Sequence, residues 1–172
     1  MIGMPNSKLL TIAVPAYNAA SYLHTCLDSL VRSGDEVEVL VVNDGSKDGT
    51  LQVARDYAER YPGIVVAVDQ ENRNWGGAVN HALELASGTF FYIVDSDDWL
   101  DSAKLTEVVS RLRMLEEQQA GVDLYMVNYV YNRVENGDRH TISYEKLLPS
   151  DKVVGWDAMS NPSLDQYIMI HS

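Results

Sequence analysis

Short, almost wholly apolar runs alternate with stretches of helical hydrophobic period over the first two-thirds of the chain. Residues 9–14 (Leu-Leu-Thr-Ile-Ala-Val, halted by Pro15), 37–42, 64–68, 90–94 and 124–130 have the length and β-branched content of strands buried on both faces. Between them, Leu23, Cys26, Leu27, Leu30 and Val31 recur at helical spacing, as do Leu51, Val53, Ala54, Tyr57 and Ala58. Residues 77–86 read as a small-residue helix and 102–119 as the longest one. Strands that run the same way must be joined by crossovers long enough to hold a helix. The expected fold is therefore α/β: a mostly parallel, open, Rossmann-like sheet with helices on both faces.

The charge balance narrows the function. The 172 residues carry 25 acids and 13 bases, a net charge of −12. That argues against non-specific nucleic-acid binding and against a polybasic membrane anchor, both of which need excess Lys and Arg. It also poses a problem, since an anionic ligand would meet an acidic protein. A single cysteine, Cys26, excludes an internal disulfide framework and a cysteine zinc cluster. No apolar run nears the ~20 residues of a membrane span, and residues 1–7 lack a signal-peptide layout. The expected setting is soluble and cytoplasmic. After Asn132 the pattern degrades. Glu135-Asn136-Gly137-Asp138 reads as a hairpin turn, and the chain stops just after an apolar run, so its end reads as cut.

Ligands of open parallel sheets gather at the carboxyl ends of the strands. Here those ends are Pro15-Ala16-Tyr17-Asn18, Asn43-Asp44-Gly45-Ser46 and Asp95-Ser96-Asp97-Asp98. Asp95, Asp97 and Asp98 raise one another's pKa unless a cation compensates, and hard oxygen donors suit Mg²⁺ or Mn²⁺. The competing role is an acidic loop capping the helix that starts near Ser102. Asp44 can accept the imino N–H of a base or, alternatively, close an Asx turn. Tyr17 can stack on that base or pack into the core. Asn74 with Gly76 and Gly77 opens a helix whose N–H groups can face an anion, although Gly-Gly is also a common turn. The absence of a G-x-G-x-x-G after the first strand and of a Walker lysine removes dinucleotide and P-loop readings. Cys26 reads as an inert core thiol, and none of the four histidines has ligand spacing.

Together, Val14-Pro15-Ala16-Tyr17-Asn18, residues 42–50 (Val-Asn-Asp-Gly-Ser-Lys-Asp-Gly-Thr), Asn74-Trp75-Gly76-Gly77-Ala78-Val79-Asn80 and Val94-Asp95-Ser96-Asp97-Asp98-Trp99 resemble a family 2 glycosyltransferase of the GT-A fold. The resemblance covers residues 9–130. It implies a nucleotide-sugar donor, most often UDP-linked, and inverting transfer to a hydroxyl of a glycan or lipid-linked acceptor, as in polysaccharide biosynthesis. Nucleotide-sugar contacts would fall to Pro15, Ala16, Tyr17, Asn18, Asp44, Asn74, Gly76, Gly77, Asp95, Ser96 and Asp97. Mn²⁺ or Mg²⁺ would be held by Asp95 and Asp97, with Asp98 as an extra ligand. Residues 1–8 would be an N-terminal extension, 9–131 the nucleotide-sugar-binding domain, and 132–172 the incomplete start of an acceptor-side region.

Two departures from the family pattern stand out. Asn43 occupies a position where many members carry a second Asp. The acidic motif that usually supplies the catalytic base is missing, and Asp157 and Asp165 are the only acids in the last twenty residues. The base is thus expected beyond Ser172, with those two as weak candidates. Two other classes compete. One is a non-catalytic nucleotide-binding module. The other is a receiver-type signalling domain, with Asp69 as phosphoacceptor, which lacks the lysine such a domain needs at its fifth strand.

Overall fold

The computed structural model describes residues 8–133, 137–145, 148–149 and 152–155. The chain divides into two compact units, residues 1–114 and 115–172. In chain order the first holds β1 (Leu10–Ala16), α1 (Leu23–Leu30), β2 (Val37–Asp44), α2 (Thr50–Arg60), β3 (Val65–Gln70), α3 (Asn74–Leu85), β4 (Phe90–Ile93) and most of α4 (Ser102–Glu117). The second holds β5 (Tyr129–Arg133) and β6 (Asp138–Ile142).

The first four strands form one parallel sheet in the order β3-β2-β1-β4. Every residue of β1 and β2 is buried, which requires cover on both faces. One face is covered by α3, whose Ala78 and Ala82 pack on Ala13, Leu40 and Val42. Small residues there let helix and sheet approach closely. On the other face Ile12, Val14, Val39 and Val41 are fully buried, the side to which right-handed crossovers bring α1 and α2. The chain steps outward from β1 to β3 and then returns to β4 on the far side of β1. The carboxyl ends of β1 and β4 therefore flank the point where the winding reverses, the usual position of a ligand crevice.

A buried carboxylate fastens the return to β4. Glu38, near the start of β2, accepts from Thr11 Oγ1 (2.5 Å) and from the Ser87 N–H (2.6 Å). Thr11 Oγ1 in turn accepts from the Gly88 N–H (2.9 Å). Gly88 has no room for a side chain, because a Cβ would lie 2.5 Å from the Thr11 nitrogen. This packing sets the entry of β4, and hence the position of the acidic loop at its far end.

The parallel sheet does not gain the fifth strand expected at 124–130. Strand structure begins only at Tyr129, and β5 pairs antiparallel with β6 in a separate two-stranded sheet. Local interactions favour the hairpin. Tyr129 sits edge-on to Tyr131 (5.3 Å) and near Tyr144 (6.5 Å), and Asn128 Oδ1 accepts the Tyr144 N–H. Residues 134–136 of the expected turn lie outside the described residues, while Gly137 takes the positive φ (+74°) that turn glycines supply. No helix among the described residues is long and apolar enough to cross a membrane.

Removing Glu38 leaves a buried hydroxyl and a partly buried N–H without their acceptor, at about 1–3 kcal/mol per buried group. Glu38→Ala is expected to lower unfolding free energy by about 3 kcal/mol and Glu38→Gln, which keeps an acceptor oxygen, by about 1 kcal/mol. Urea unfolding of both variants checks this; equal losses would show that the acceptor is not what matters.

Candidate active site

A cleft of about 240 Å³ opens at the carboxyl ends of the strands, lined by Pro15, Ala16, Tyr17, Asp44, Trp75, Ala78, Asp95, Ser96 and Asp97. Seven of these were singled out from the sequence. Asn18, Asn74, Gly76, Gly77 and Asp98 do not line it, and Asp157 and Asp165 lie outside the described residues. Trp75 and Ala78 are the lining residues that the sequence reading did not assign.

Asp44 is the best-anchored member. It is 3% exposed, and its Oδ1 accepts from Gln70 Nε2 and from the Arg73 N–H, both at 2.7 Å. Gln70 is its register partner on β3 and also meets His81 Nδ1 at 2.7 Å. Both bonds use Oδ1, which leaves Oδ2 to face a donor on a ligand. The Asp44 backbone is held as well, its carbonyl accepting from Asn72 Nδ2 at 3.0 Å. Gly45 permits that approach: its φ is +69° and a Cβ would lie 2.8 Å from the Asn72 nitrogen. Neighbouring Asn43 donates from Nδ2 to Asp69 Oδ1 at 2.7 Å. An aspartate at 43 would set two carboxylates against each other, which accounts for the amide. Asp69 is thereby engaged on an edge strand and does not line the cleft, so the receiver reading has no footing.

Asn18 has a structural task. It adopts φ +50° and clasps the neighbouring loop, its N–H donating to Ser46 Oγ (3.0 Å) and its Oδ1 accepting from the Lys47 N–H (2.9 Å). The Ala19 and Ala20 N–H groups donate to Thr50 Oγ1 (2.7 Å) and Asp48 Oδ2 (3.1 Å). Asp48 Oδ1 also accepts from the Thr50 hydroxyl (2.5 Å) and N–H (3.0 Å). These bonds tie the loops after β1 and β2 into one rim and hold Tyr17, 49% exposed, over the cleft.

The acidic loop is delivered by β4. The Val94 N–H still bonds to the Ala13 carbonyl (2.9 Å), and the Asp98 N–H closes a turn on the Asp95 carbonyl (2.9 Å). The loop does not cap the following helix; Asp101 does, accepting from the Ala103 and Lys104 N–H groups at 2.9 and 3.1 Å. Asp98 has its carboxyl pushed above the usual range by partial burial and then by Asp97 and Asp95. Beneath the loop lies Cys26, 1% exposed, its thiol within 3.8 Å of the Asp95 carbonyl. Burial, reinforced by the three carboxylates, pushes that thiol up to about 12, which makes it unreactive near neutral pH.

Trp75 joins the two halves of the site. It lies in the first turn of α3, and its Nε1 donates to Asp95 Oδ1 at 2.8 Å. The helix starts at Asn74 rather than at 77, as Asn74 takes φ +63° and Arg73 is held by Asp44. Gly77 must be glycine, because a Cβ there would lie 2.3 Å from the Arg73 Cβ.

Among the described residues no group of three or more His, Cys, Asp or Glu is disposed to hold a metal ion. The cleft instead offers Asp95 and Asp97, hard oxygen donors in a loop of mutually repelling carboxylates. That donor set fits a divalent cation shared with ligand phosphates, which need only one or two protein carboxylates.

Comparison with known proteins gives the chemical context. The model of the glycosyl transferase family 2 matches residues 11–163. Glycosyltransferase MG025 of Mycoplasma genitalium is 38% identical over 101 residues, 56% of this chain and 34% of its own. The chain spans about a third of the length of the first curated relatives it matches. The structure of S. aureus TarS in complex with UDP-GlcNAc superposes with a TM-score of 0.56 at 31% identity, covering 63% of this chain and 32% of that one. The Pyrobaculum calidifontis mannosyltransferase PcManGT, in complex with GDP-Man and Mn²⁺, gives 0.53 at 30% identity, covering 61% and 32%.

The loop clasp predicts a specific pH dependence. Hydrogen bonds from Thr50 hold the Asp48 carboxyl below its ordinary value of 3.8. Its contribution to stability is thus present above that value and lost as the pH falls through the lowered one. Asp48→Asn is expected to lower the melting temperature at pH 7, with the gap to wild type closing over the acid range below pH 3.8. A gap that stays constant over that range would contradict the clasp.

Proposed function

The chain belongs to glycosyl transferase family 2, and on that premise we propose that it binds a UDP-sugar with Mn²⁺ or Mg²⁺ and serves inverting transfer of the sugar to a hydroxyl of a glycan or lipid-linked acceptor. The observation that carries this reading is the convergence of Pro15, Ala16, Tyr17, Asp44, Asp95, Ser96 and Asp97 on one cleft at the winding reversal. GDP-Man with Mn²⁺ and UDP-GlcNAc in the two superposed structures support the donor class.

In this reading Pro15, Ala16 and Tyr17 form the wall against the nucleotide base. The Tyr17 ring supplies a stacking face, worth about 1–3 kcal/mol per base in comparable sites. Asp44 Oδ2 accepts a base N–H. It is preorganised for that, because two donors on Oδ1 and a held backbone leave the carboxylate little freedom. An imino donor of this kind suits uracil. Asp95 and Asp97 face ribose and diphosphate, and Asp98 is the reserve ligand. A bound divalent cation supplies Lewis-acid stabilisation of the charge that develops on the departing diphosphate. Neutralising the acidic loop also lets an anion approach a chain of net charge −12.

The deprotonating group for the acceptor hydroxyl is assigned to none of the cleft residues; Asp157 and Asp165, the weak candidates from the sequence, lie outside the described residues. We take residues 9–131 as the donor-binding domain and residues 132–172 as belonging to the acceptor side.

Isothermal calorimetry with UDP tests the reading. Binding is expected to need Mn²⁺ or Mg²⁺ and to weaken at least about tenfold in Asp97→Ala, the size of one lost charge-assisted contact. UDP affinity indifferent to both the metal and Asp97 would overturn it. Hydrolysis or transfer assays with UDP-sugars then separate an enzyme from a nucleotide-binding module.

A further inference from the structure

Asp95 does not stand alone at the cleft, and what holds it comes from the opposite side of the site. Trp75 Nε1 donates to Asp95 Oδ1 at 2.8 Å, across twenty residues of sequence. The backbone just before Trp75 is fixed in turn by Asp44, whose Oδ1 accepts the Arg73 N–H and whose carbonyl accepts from Asn72. A continuous path runs from Asp44 through Arg73 and Trp75 to Asp95. Its two ends are the carboxylates assigned to the base and to the diphosphate.

The indole suits this task. It is a donor only and carries no charge, so it orients Asp95 without neutralising it, as a lysine or arginine would. By occupying Oδ1 it leaves Oδ2 as the oxygen that meets a ligand. Trp75 is 44% exposed, so in the open cleft water competes for the same bond. Once a nucleotide fills the cleft, water is excluded and the bond to a charged acceptor strengthens. The interaction therefore contributes little to folding and more to binding.

We propose that Trp75 is a positioning residue that fixes the Asp95 carboxylate for the cation-bound diphosphate and links that end of the site to the base end held by Asp44. This rests on the donor-binding reading above, and deepens it by assigning a residue that acts through Asp95.

The test compares the 172-residue wild type with Trp75→Phe, which keeps an aromatic ring but loses the N–H donor together with part of the ring area. UDP and uridine are titrated by calorimetry, each with and without Mn²⁺. The variant is expected to melt within about 2 °C of wild type, as exposed substitutions do. Its affinity for uridine is expected to be unchanged, while its affinity for UDP with Mn²⁺ falls about tenfold. Equal loss of uridine and UDP affinity would mean that Trp75 only shapes the pocket, and no loss of either would mean the bond to Asp95 is idle; both outcomes overturn the proposal. Wild type that binds no UDP at all would instead remove the donor-binding reading itself.

Discussion

One oxygen atom organises the rim of this protein. Asp44 Oδ1, buried at the end of β2, accepts from Gln70 on the neighbouring strand and from the backbone of Arg73 on the way into α3. A carboxylate buried this deeply is tolerated only because it is satisfied from two directions. In meeting that requirement it fixes the register of β3 at its functional end, the start of α3 and, one residue on, the place from which Trp75 reaches Asp95. Asp44→Ala would thus disturb an edge of the sheet and a helix start together with any ligand contact, so loss of binding in that variant alone says little about recognition.

Charge provides the second constraint. The protein is acidic along its length, and its most acidic loop lies where the winding of the four-stranded parallel sheet reverses. Folding gains nothing from crowding Asp95, Asp97 and Asp98, and partial burial, with Asp97 and Asp95 adding to it, pushes the Asp98 carboxyl up. Asp101 already caps α4, so helix capping does not explain the loop. The cation shared with a diphosphate that we propose would offset that repulsion, since such a cation needs only one or two protein carboxylates.

Much of this was legible in the sequence, for a definite reason. Buried parallel strands must be apolar on both faces, so their polar carboxyl-terminal residues stand out, and Pro15, Ala16, Tyr17, Asp44, Asp95, Ser96 and Asp97 could be picked from the rim before their geometry was known. What escaped depends on tertiary pairing. Residues 124–128 are apolar enough for a strand but pair with nothing in the parallel sheet, while Tyr129, Tyr131 and Tyr144 gather in a hairpin instead. Asn18 also clasps the neighbouring loop, a task that leaves no trace in local sequence because it depends on a positive φ and a backbone partner 29 residues away. Gln70 and Trp75 were hidden for the same reason, although Gln70 ends the strand beside Asp44 and could have been suspected from alignment of strand ends. Glu38 was read simply as part of an apolar run, because nothing local announces that Thr11 and Ser87 converge on it.

The central claim is that the acidic loop and the Asp44 wall are two ends of one metal-assisted nucleotide site. Crystals grown with UDP and MnCl₂, with data collected at the manganese edge, test it most directly. One anomalous peak is expected in contact with the Asp95–Asp97 loop and with the diphosphate, and the uracil is expected between Tyr17 and Asp44. A nucleotide seated away from Asp44, or manganese bound elsewhere while the acidic loop stays empty, would contradict it.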